Sequence, residues 1–211
     1  MNTTDIPTLY KKYFVDKKDE RRSLFEAIQD LYKPQKGIYP GSFVHLTPSF
    51  YIKEMTYIDS DKRISRFFDG QDILSYVNLN KTYPEPPVIQ AFQADFSRQI
   101  PIEKEAFDIM FSFYAGFISQ SCKQYLRNTG ILVCNNSHGD ASLAFSDKDY
   151  SLIAVIDWED ETFKISEEHL DRYFIKKDGT PIDRANVLQS MKGERFTREA
   201  YAYVFRLQTF H

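Results

Sequence analysis

Acidic side chains and one glycine turn stand at the ends of two short apolar segments in the first third of the sequence. Ile38 and Tyr39 run into the break Pro40-Gly41-Ser42, and a second apolar run stops at Asp59, with Asp61 close behind. A strand, a glycine turn, a helix and a strand ending in a carboxylate about 20 residues on bring backbone amides and a ribose-binding acid to one crevice. The segment therefore predicts one wall of a nucleoside-binding pocket.

Polar and aromatic side chains also follow three later apolar segments. Asp95 and Phe96 come after the third predicted strand, Ser112 and Tyr114 lie at the end of the fourth, and the loop 135–140 follows the fifth. Ligands of open α/β sheets bind outside the carboxyl ends of the strands, so we expect these residues to share the crevice. Taken singly, an aspartate at a strand end is also a common turn residue or helix cap.

His138, in the loop after the fifth strand, is the candidate for proton transfer, because an imidazole titrates near neutral pH. Tyr114 and Ser112 would help to orient the group that reacts. The alternative is a loop histidine that bonds only to its neighbours. A metal site at His138 and Asp140 would need a further ligand that the spacing does not supply, so we predict no metal.

The alternation of helical and strand patterns predicts an α/β fold. We expect a doubly wound, mostly parallel, seven-stranded sheet of Rossmann-like type with an N-terminal helical extension. The extension would take residues 1–35 and the sheet domain residues 36–211, in one compact domain overall. The predicted strands are 38–39, 55–59, 88–94, 106–114, 131–134, 151–156 and 200–207.

Helical spacing is present over residues 5–32, and again from Ile118 to Leu126, where the turn 128–130 is expected to end the helix. The acids 157–161 indicate a solvated turn after the sixth strand. The region 178–195 carries glycine, proline and mixed charges, which is typical of a surface lid or of a simple connecting loop.

Charge and cysteine content exclude several classes of protein. The net charge of −3 has both signs interspersed, and acids interrupt the basic cluster 11–22. We interpret that cluster as a solvated helix face and expect no general nucleic-acid binding. The cysteines Cys122 and Cys134 lie in apolar segments, as reduced core thiols do. Since no membrane helix or signal peptide is recognisable, we expect a cytoplasmic protein without membrane association.

The order of elements resembles that of the class I S-adenosylmethionine-dependent methyltransferases over roughly residues 36–158. The turn at Gly41 and Ser42, Asp59 after the second strand and Asp95 after the third carry the resemblance. It implies that Gly41 with Ser42 packs against S-adenosylmethionine, that Asp59 binds the ribose hydroxyls, and that Asp95 with Phe96 contacts the adenine. The implied cofactor site also takes in the following neighbours: Tyr39, Pro40, Asp61 and Ser112.

Departures from the family pattern exclude some cofactors and some classes of substrate. The first turn has one glycine, whereas the pyrophosphate of a dinucleotide needs several close backbone amides, which argues against NAD. Phe111-Ser112-Phe113-Tyr114 differs from the motif of amino-methylating nucleic-acid enzymes. We therefore expect a methyltransferase that acts on a small molecule or a protein. A binding or structural protein without catalysis, and a nucleoside-recognising domain of another reaction class, remain the alternatives.

Overall fold

The computed structural model describes residues 6–208, which form one eight-stranded sheet with helices packed on both faces. Residue 5 of the predicted first helix, and the outer ends of the predicted domain ranges, lie outside the described residues. The strands are Lys36–Pro40 (β1), Glu54–Asp59 (β2), Val88–Gln93 (β3), Phe107–Ser112 (β4), Leu126–Cys134 (β5), Tyr150–Glu159 (β6), Thr162–Ser166 (β7) and Ala202–Leu207 (β8). The α-helices are Thr8–Tyr10 (α1), Arg22–Tyr32 (α2), Arg63–Phe68 (α3), Gln71–Asn80 (α4), Ile118–Ser121 (α5), Asp140–Phe145 (α6) and Arg184–Ser190 (α7).

The strands follow the order β3-β2-β1-β4-β5-β8-β6-β7 across the sheet. The five strands β1 to β5 pair in parallel. In contrast, β8 pairs antiparallel with both β5 and β6, and β7 pairs antiparallel with β6. The predicted α/β class is confirmed, whereas the prediction of seven mostly parallel strands is wrong, because the sheet has eight strands of mixed orientation.

The additional strand arises where the sequence predicted a solvated turn. β6 continues through Trp158 to Glu159, and the chain then reverses at Asp160 and Glu161, which both have positive φ. β7 returns along β6, so that Trp158 and Phe163 face each other as a direct cross-strand pair. The sequence did not predict this hairpin, because a run of acidic residues is typical both of a solvated loop and of a tight turn between two strands.

Both faces of the central strands are buried, because neighbouring residues point to opposite sides of a sheet. Tyr39 of β1 and Phe111 of β4 belong to one apolar cluster, with α2, α3 and α4. Ile38 and Met110 belong to a second cluster on the other face, with α5 and α6. Fully apolar strands of this kind are typical of a sheet that is covered on two sides.

The predicted helix through residue 126 is confirmed only in part, because α5 is followed by a separate 3₁₀ turn, Lys123–Tyr125, and Leu126 belongs to a strand. α5 ends at Ser121, and β5 already begins at Leu126. Leu126 pairs with Phe107, and regular pairing resumes only at Ile131, so the predicted helix stop at 128–130 is a bulge within β5. The local sequence predicts a turn at this position, but β5 stays paired with β4 on both sides of it. A paired strand can accommodate the extra residues as a bulge.

The N-terminal segment packs against the sheet. A π-helical stretch, Lys11–Val15, follows α1, and α2 buries Leu24, Phe25 and Ile28. The Phe25 ring meets that of Phe111 edge to face, with centroids 5.2 Å apart. Across residues 6–208, no helix is long and apolar enough to cross a membrane.

The predicted lid or loop 178–195 contains a helix, α7. Asp183 caps the N-terminus of this helix, because its side chain accepts a hydrogen bond from the Asn186 amide. Val187 of this helix is fully buried. The Arg184 guanidinium donates to the Leu143 carbonyl at 2.8 Å, which ties α7 to α6. The region is therefore anchored to the sheet domain at this helix.

Replacing Phe25 by Ala tests whether the N-terminal segment folds with the sheet. We expect the free energy of unfolding to fall by about 3 to 5 kcal/mol, because the ring is fully buried against β4. Leu31→Ala, on the same helix at a side chain that is 48% exposed, is the matched control and should change stability by less than about 1 kcal/mol. Urea unfolding measures both, and equal losses would contradict this packing.

Candidate functional site

The order of the parallel strands reverses between β1 and β4. β1 pairs with β2 on one side and with β4 on the other, so the connections that leave these two strands diverge. In open α/β sheets, ligands bind in the crevice outside the carboxyl ends of the strands at this point. The loops that begin at Gly41, Asp59, Phe113 and Asn135 meet here.

Gly41 makes a tight turn directly after β1, with φ of 70°. Its amide donates to the Ile58 carbonyl at 2.7 Å, and the Ser42 amide donates to the same oxygen at 3.3 Å. A Cβ at Gly41 would clash with the Cβ of Ala115. The glycine thus brings the loops after β1 and β4 into contact, while its amide and that of Ser42 are already bonded to β2.

Asp59 fixes the loop after β1 to the loop after β2. Its Oδ2 accepts a hydrogen bond from the Phe43 amide at 2.7 Å, and its Oδ1 accepts one from the Asp61 amide at 2.9 Å. Phe43 has positive φ, which this bond helps to hold. Each carboxylate oxygen has two lone pairs, so a second hydrogen bond from a sugar hydroxyl remains open to both.

Asp61 forms an ion pair with Arg63. Two guanidinium nitrogens donate to its oxygens at 2.8 and 2.6 Å, and these bonds lower the pKa of Asp61 to about 2. The same guanidinium lies 4.5 Å from the centroid of the Phe43 ring, which Tyr13 meets edge to face. Sequence reasoning missed Tyr13 and Arg63, since no local pattern relates them to Asp59.

Asp95 and Phe96 follow β3, where the sequence predicted the adenine contacts. The Asp95 carboxylate is exposed and accepts from the amide and hydroxyl of Ser97, which lowers its pKa. The Phe96 ring is 3.8 Å from where a Cβ would stand at either Gly41 or Gly116. Phe96 therefore joins the turns after β1 and β4, whereas Asp95 caps its own turn.

Tyr39, Pro40 and Ser112 lie at the strand ends but turn inward. Tyr39 is buried, with its hydroxyl 3.3 Å from Nδ1 of the buried His45. Pro40 is the last residue of β1 and lies beside Ile58. The Ser112 hydroxyl donates to Asp140 at 2.6 Å in the protein interior.

Asp140 is a buried carboxyl that joins the loops after β4 and β5. It accepts the Ser112 hydroxyl at 2.6 Å and the Ser119 amide at 2.9 Å. Burial raises its pKa to about 6, although the hydrogen bonds from Ser112 and Ser119 oppose the rise. Within residues 6–208, no group of three or more His, Cys, Asp or Glu residues could hold a metal ion.

Tyr114 is the aromatic side chain that stands out at the end of β4. It has φ of 59° and its side chain is 55% exposed. Its amide donates to Asn135 Oδ1 at 3.3 Å, and the Arg21 guanidinium lies 5.4 Å from its ring centroid. A bulky residue in left-handed geometry is strained, and such strain clusters at functional sites.

A cavity of about 360 Å³ opens beside Tyr114, and we call it the strand-end cavity. A Cβ at Gly193 would clash with the Asn136 carbonyl, so the segment around Gly193 lies directly against the loop after β5. His138 is not among the lining residues, and its Nδ1 is 3.0 Å from the Ser137 hydroxyl. The lining residues are Tyr114, Asn135, Asn136, Ser137, Lys192, Gly193, Glu194, Arg195, Glu199, Ala200 and Tyr201.

A larger cleft of about 840 Å³ lies between the N-terminal segment and the β6–β7 hairpin, and we call it the hairpin cleft. Tyr201 lines both this cleft and the strand-end cavity. Arg21 also lines the cleft and is bound to Asp19 through two nitrogens at 2.9 and 2.7 Å. The interpretation of the basic cluster as a solvated face fails at Arg21, whose side chain is only 7% exposed.

Gly41→Ala tests the contact between the turns after β1 and β4. We expect it to lower the free energy of unfolding by about 3 kcal/mol, from positive φ and from the clash with Ala115. Adding Ala115→Gly should restore about half of that loss, since the clash is removed and the strain is not. Urea unfolding of both single variants and the double variant checks this, and strictly additive losses would contradict the contact.

Asp140→Asn tests the buried carboxyl. Because its pKa is about 6 in the folded protein and 3.8 ordinarily, the folded state binds the proton more tightly, and stability is lost as pH rises through 6. Between about pH 3 and about pH 7, the wild type should lose about 3 kcal/mol relative to the asparagine variant. Urea unfolding at several pH values measures the difference, and a pH-independent gap would show that Asp140 does not titrate in this way.

Comparison with known proteins shows which fold this architecture resembles. No model of a known protein family matches the chain, and no curated protein matches it in sequence. Among solved structures, a methyltransferase from Geobacter sulfurreducens aligns over 99% of this chain and 91% of its own, with a TM-score of 0.51 and 9% identity. An S-adenosylmethionine-dependent methyltransferase of Thermotoga maritima, described as a possible histamine N-methyltransferase, aligns over 95% of this chain and 94% of its own, with a TM-score of 0.50 and 9% identity. The chain therefore has the fold of the class I S-adenosylmethionine-dependent methyltransferases, as its sequence resemblance predicted.

Proposed function

We propose that this protein transfers a methyl group from S-adenosylmethionine to a small molecule. The observation that carries the proposal is the strained, exposed Tyr114 at the end of β4, which borders a cavity next to the point where the strand order reverses. Backbone strain clusters at functional sites, and the exposed ring of Tyr114 beside the cavity supports a role in binding.

The crevice fits the adenosine end of the cofactor. Asp59 is held rigidly by the amides of Phe43 and Asp61, and both of its oxygens can accept a further hydrogen bond from a ribose hydroxyl. The Phe96 ring, between the turns at Gly41 and Gly116, offers an apolar surface for a planar base. Asp59 and Phe96 are the residues that would hold this part of the cofactor.

The amino-acid end of the cofactor does not fit the turn after β1 in the same way. The amides of Gly41 and Ser42 both donate to the Ile58 carbonyl, and Ala115 fills the space beside Gly41. We therefore assign no contact with the methionine carboxylate to this turn. This occupancy favours the second candidate function, a protein that keeps the fold and binds ligands without methyl transfer.

When bound, S-adenosylmethionine supplies an electrophilic methyl group, and the protein's part is to position the acceptor and exclude water. Tyr114 is suited to positioning, because Asn135 holds its amide and Arg21 lies against its ring. A concave cavity fits a small acceptor better than an extended polypeptide. We assign no proton transfer to His138, since its side chain is not among the groups that line the cavity.

Calorimetry with S-adenosylhomocysteine tests the cofactor site. We expect binding to the wild type, and about tenfold weaker binding to Asp59→Asn, which removes a charged acceptor for ribose hydroxyls. Asp69→Asn, at an exposed acid after α3, is the matched control and should bind as the wild type does.

Because Asp59 also fixes two loops, urea unfolding of the Asp59→Asn variant must show that it is folded. Phe96→Ala gives a second variant that leaves those loop hydrogen bonds in place. Absence of binding to the wild type at millimolar ligand would overturn the methyltransferase proposal, and unaltered affinity in both variants would move the site elsewhere.

A further inference from the structure

The hairpin cleft has the size and the lining of a ligand site, although sequence reasoning did not mark it. Its volume of about 840 Å³ lies within the range of about 300 to 1,000 Å³ that small-molecule sites occupy. One wall is the N-terminal segment before and within α2, and the other is the β6–β7 hairpin. The two walls are far apart in the sequence, so only folding assembles them.

Aromatic rings form the hairpin wall. Trp158 and Phe163 have ring centroids 4.7 Å apart, and Phe163 and Tyr201 have theirs 4.6 Å apart. Phe163 is buried, whereas Trp158 is 56% exposed. A tryptophan that is packed against a neighbouring ring and is more than half exposed offers a surface for stacking a planar ligand.

The charged groups around the cleft balance one another. Arg21 is bound by Asp19 at 2.7 Å, and Arg22 pairs with Glu20 at 3.1 Å. The remaining charged lining residues are one lysine and one glutamate, Lys18 and Glu26. A lining without net charge selects by shape and aromatic contact, and it does not favour a phosphate-rich ligand.

The cleft adjoins the candidate reaction site. Tyr201 lines both the hairpin cleft and the strand-end cavity. Arg21 lines the cleft and also lies 5.4 Å from the Tyr114 ring and 5.2 Å from the Phe113 ring. Tyr201 and Arg21 therefore connect the hairpin cleft to the surroundings of Tyr114.

We propose that the hairpin cleft binds a small planar aromatic compound through Trp158, Phe163 and Tyr201. The identification of this compound as the methyl acceptor rests on the proposed function, whereas the aromatic site itself does not. The acceptor's ring lies in the cleft, and its reactive heteroatom extends past Tyr201 into the strand-end cavity.

A matched pair of probes tests this inference by calorimetry: 2-naphthol and its saturated counterpart decahydro-2-naphthol. We expect 2-naphthol to bind the full-length protein about tenfold more tightly than the saturated alcohol, because only the aromatic probe can stack. Trp158 is the single tryptophan of the chain, so binding should also protect its fluorescence from quenching by acrylamide. Equal affinity for the two probes, or naphthol binding without protection of Trp158, would overturn the proposal.

Trp158→Leu should weaken 2-naphthol binding about tenfold and leave S-adenosylhomocysteine binding unchanged. Phe145→Leu is the control, since Phe145 is also a partly exposed aromatic side chain, at 42%, but lies in α6 away from the cleft. Urea unfolding checks that both variants are folded.

The two proposals fail separately in this design. Binding of S-adenosylhomocysteine without 2-naphthol binding would overturn the aromatic site and leave the methyltransferase proposal standing. Binding of 2-naphthol without S-adenosylhomocysteine binding would support the aromatic site and overturn its role as an acceptor site.

Discussion

Burial of the sheet on both faces is the constraint on which the rest of this structure depends. Side chains of β1 and β4 alternate between two apolar clusters, so neither strand has a solvent-exposed face that could carry polar functional groups. Functional groups are confined to the ends of the strands and to the loops that leave them. The parallel arrangement of β1 to β5 then places those ends along one edge of the sheet.

Two carboxylates organise the loops at this edge. Asp59 joins the loops after β1 and β2 by accepting the amides of Phe43 and Asp61. Asp140 joins the loops after β4 and β5 by accepting from Ser112 and Ser119. Asp59 is partly exposed and can accept further bonds, whereas Asp140 is buried and its pKa is raised. The same residue type therefore keeps acceptor capacity open at one place and is enclosed by its partners at the other, because solvent access differs.

The walls of both cavities come from segments that are far apart in the sequence. The hairpin cleft lies between the N-terminal segment and the β6–β7 hairpin, and the strand-end cavity lies between the loop after β5 and residues 192–201. Arg21 precedes α2, and Tyr201 immediately precedes β8, which inserts antiparallel between β5 and β6. Arg21 and Tyr201 both lie near Tyr114, so the two segments border the concave surfaces at this edge of the sheet. The N-terminal segment and the C-terminal strand thus contribute to the candidate site as well as to the core.

The sequence by itself determined the α/β class, the positions of the strands from β1 to β4 and of the second part of β5, and the acids at the ends of β2 and β3. These features depend on local hydrophobic pattern and on turn residues, which act over a few neighbouring positions. Only the tertiary structure decided that Ser112 and Tyr39 turn inward, that 128–130 is a bulge, and that Trp158 begins a hairpin. It also decided that Arg21 is buried and that Ala115 closes the turn at Gly41. These outcomes depend on contacts between segments that are distant in the sequence. The energy of such a contact depends on which residues the fold places side by side, so the local sequence carries no signal of it.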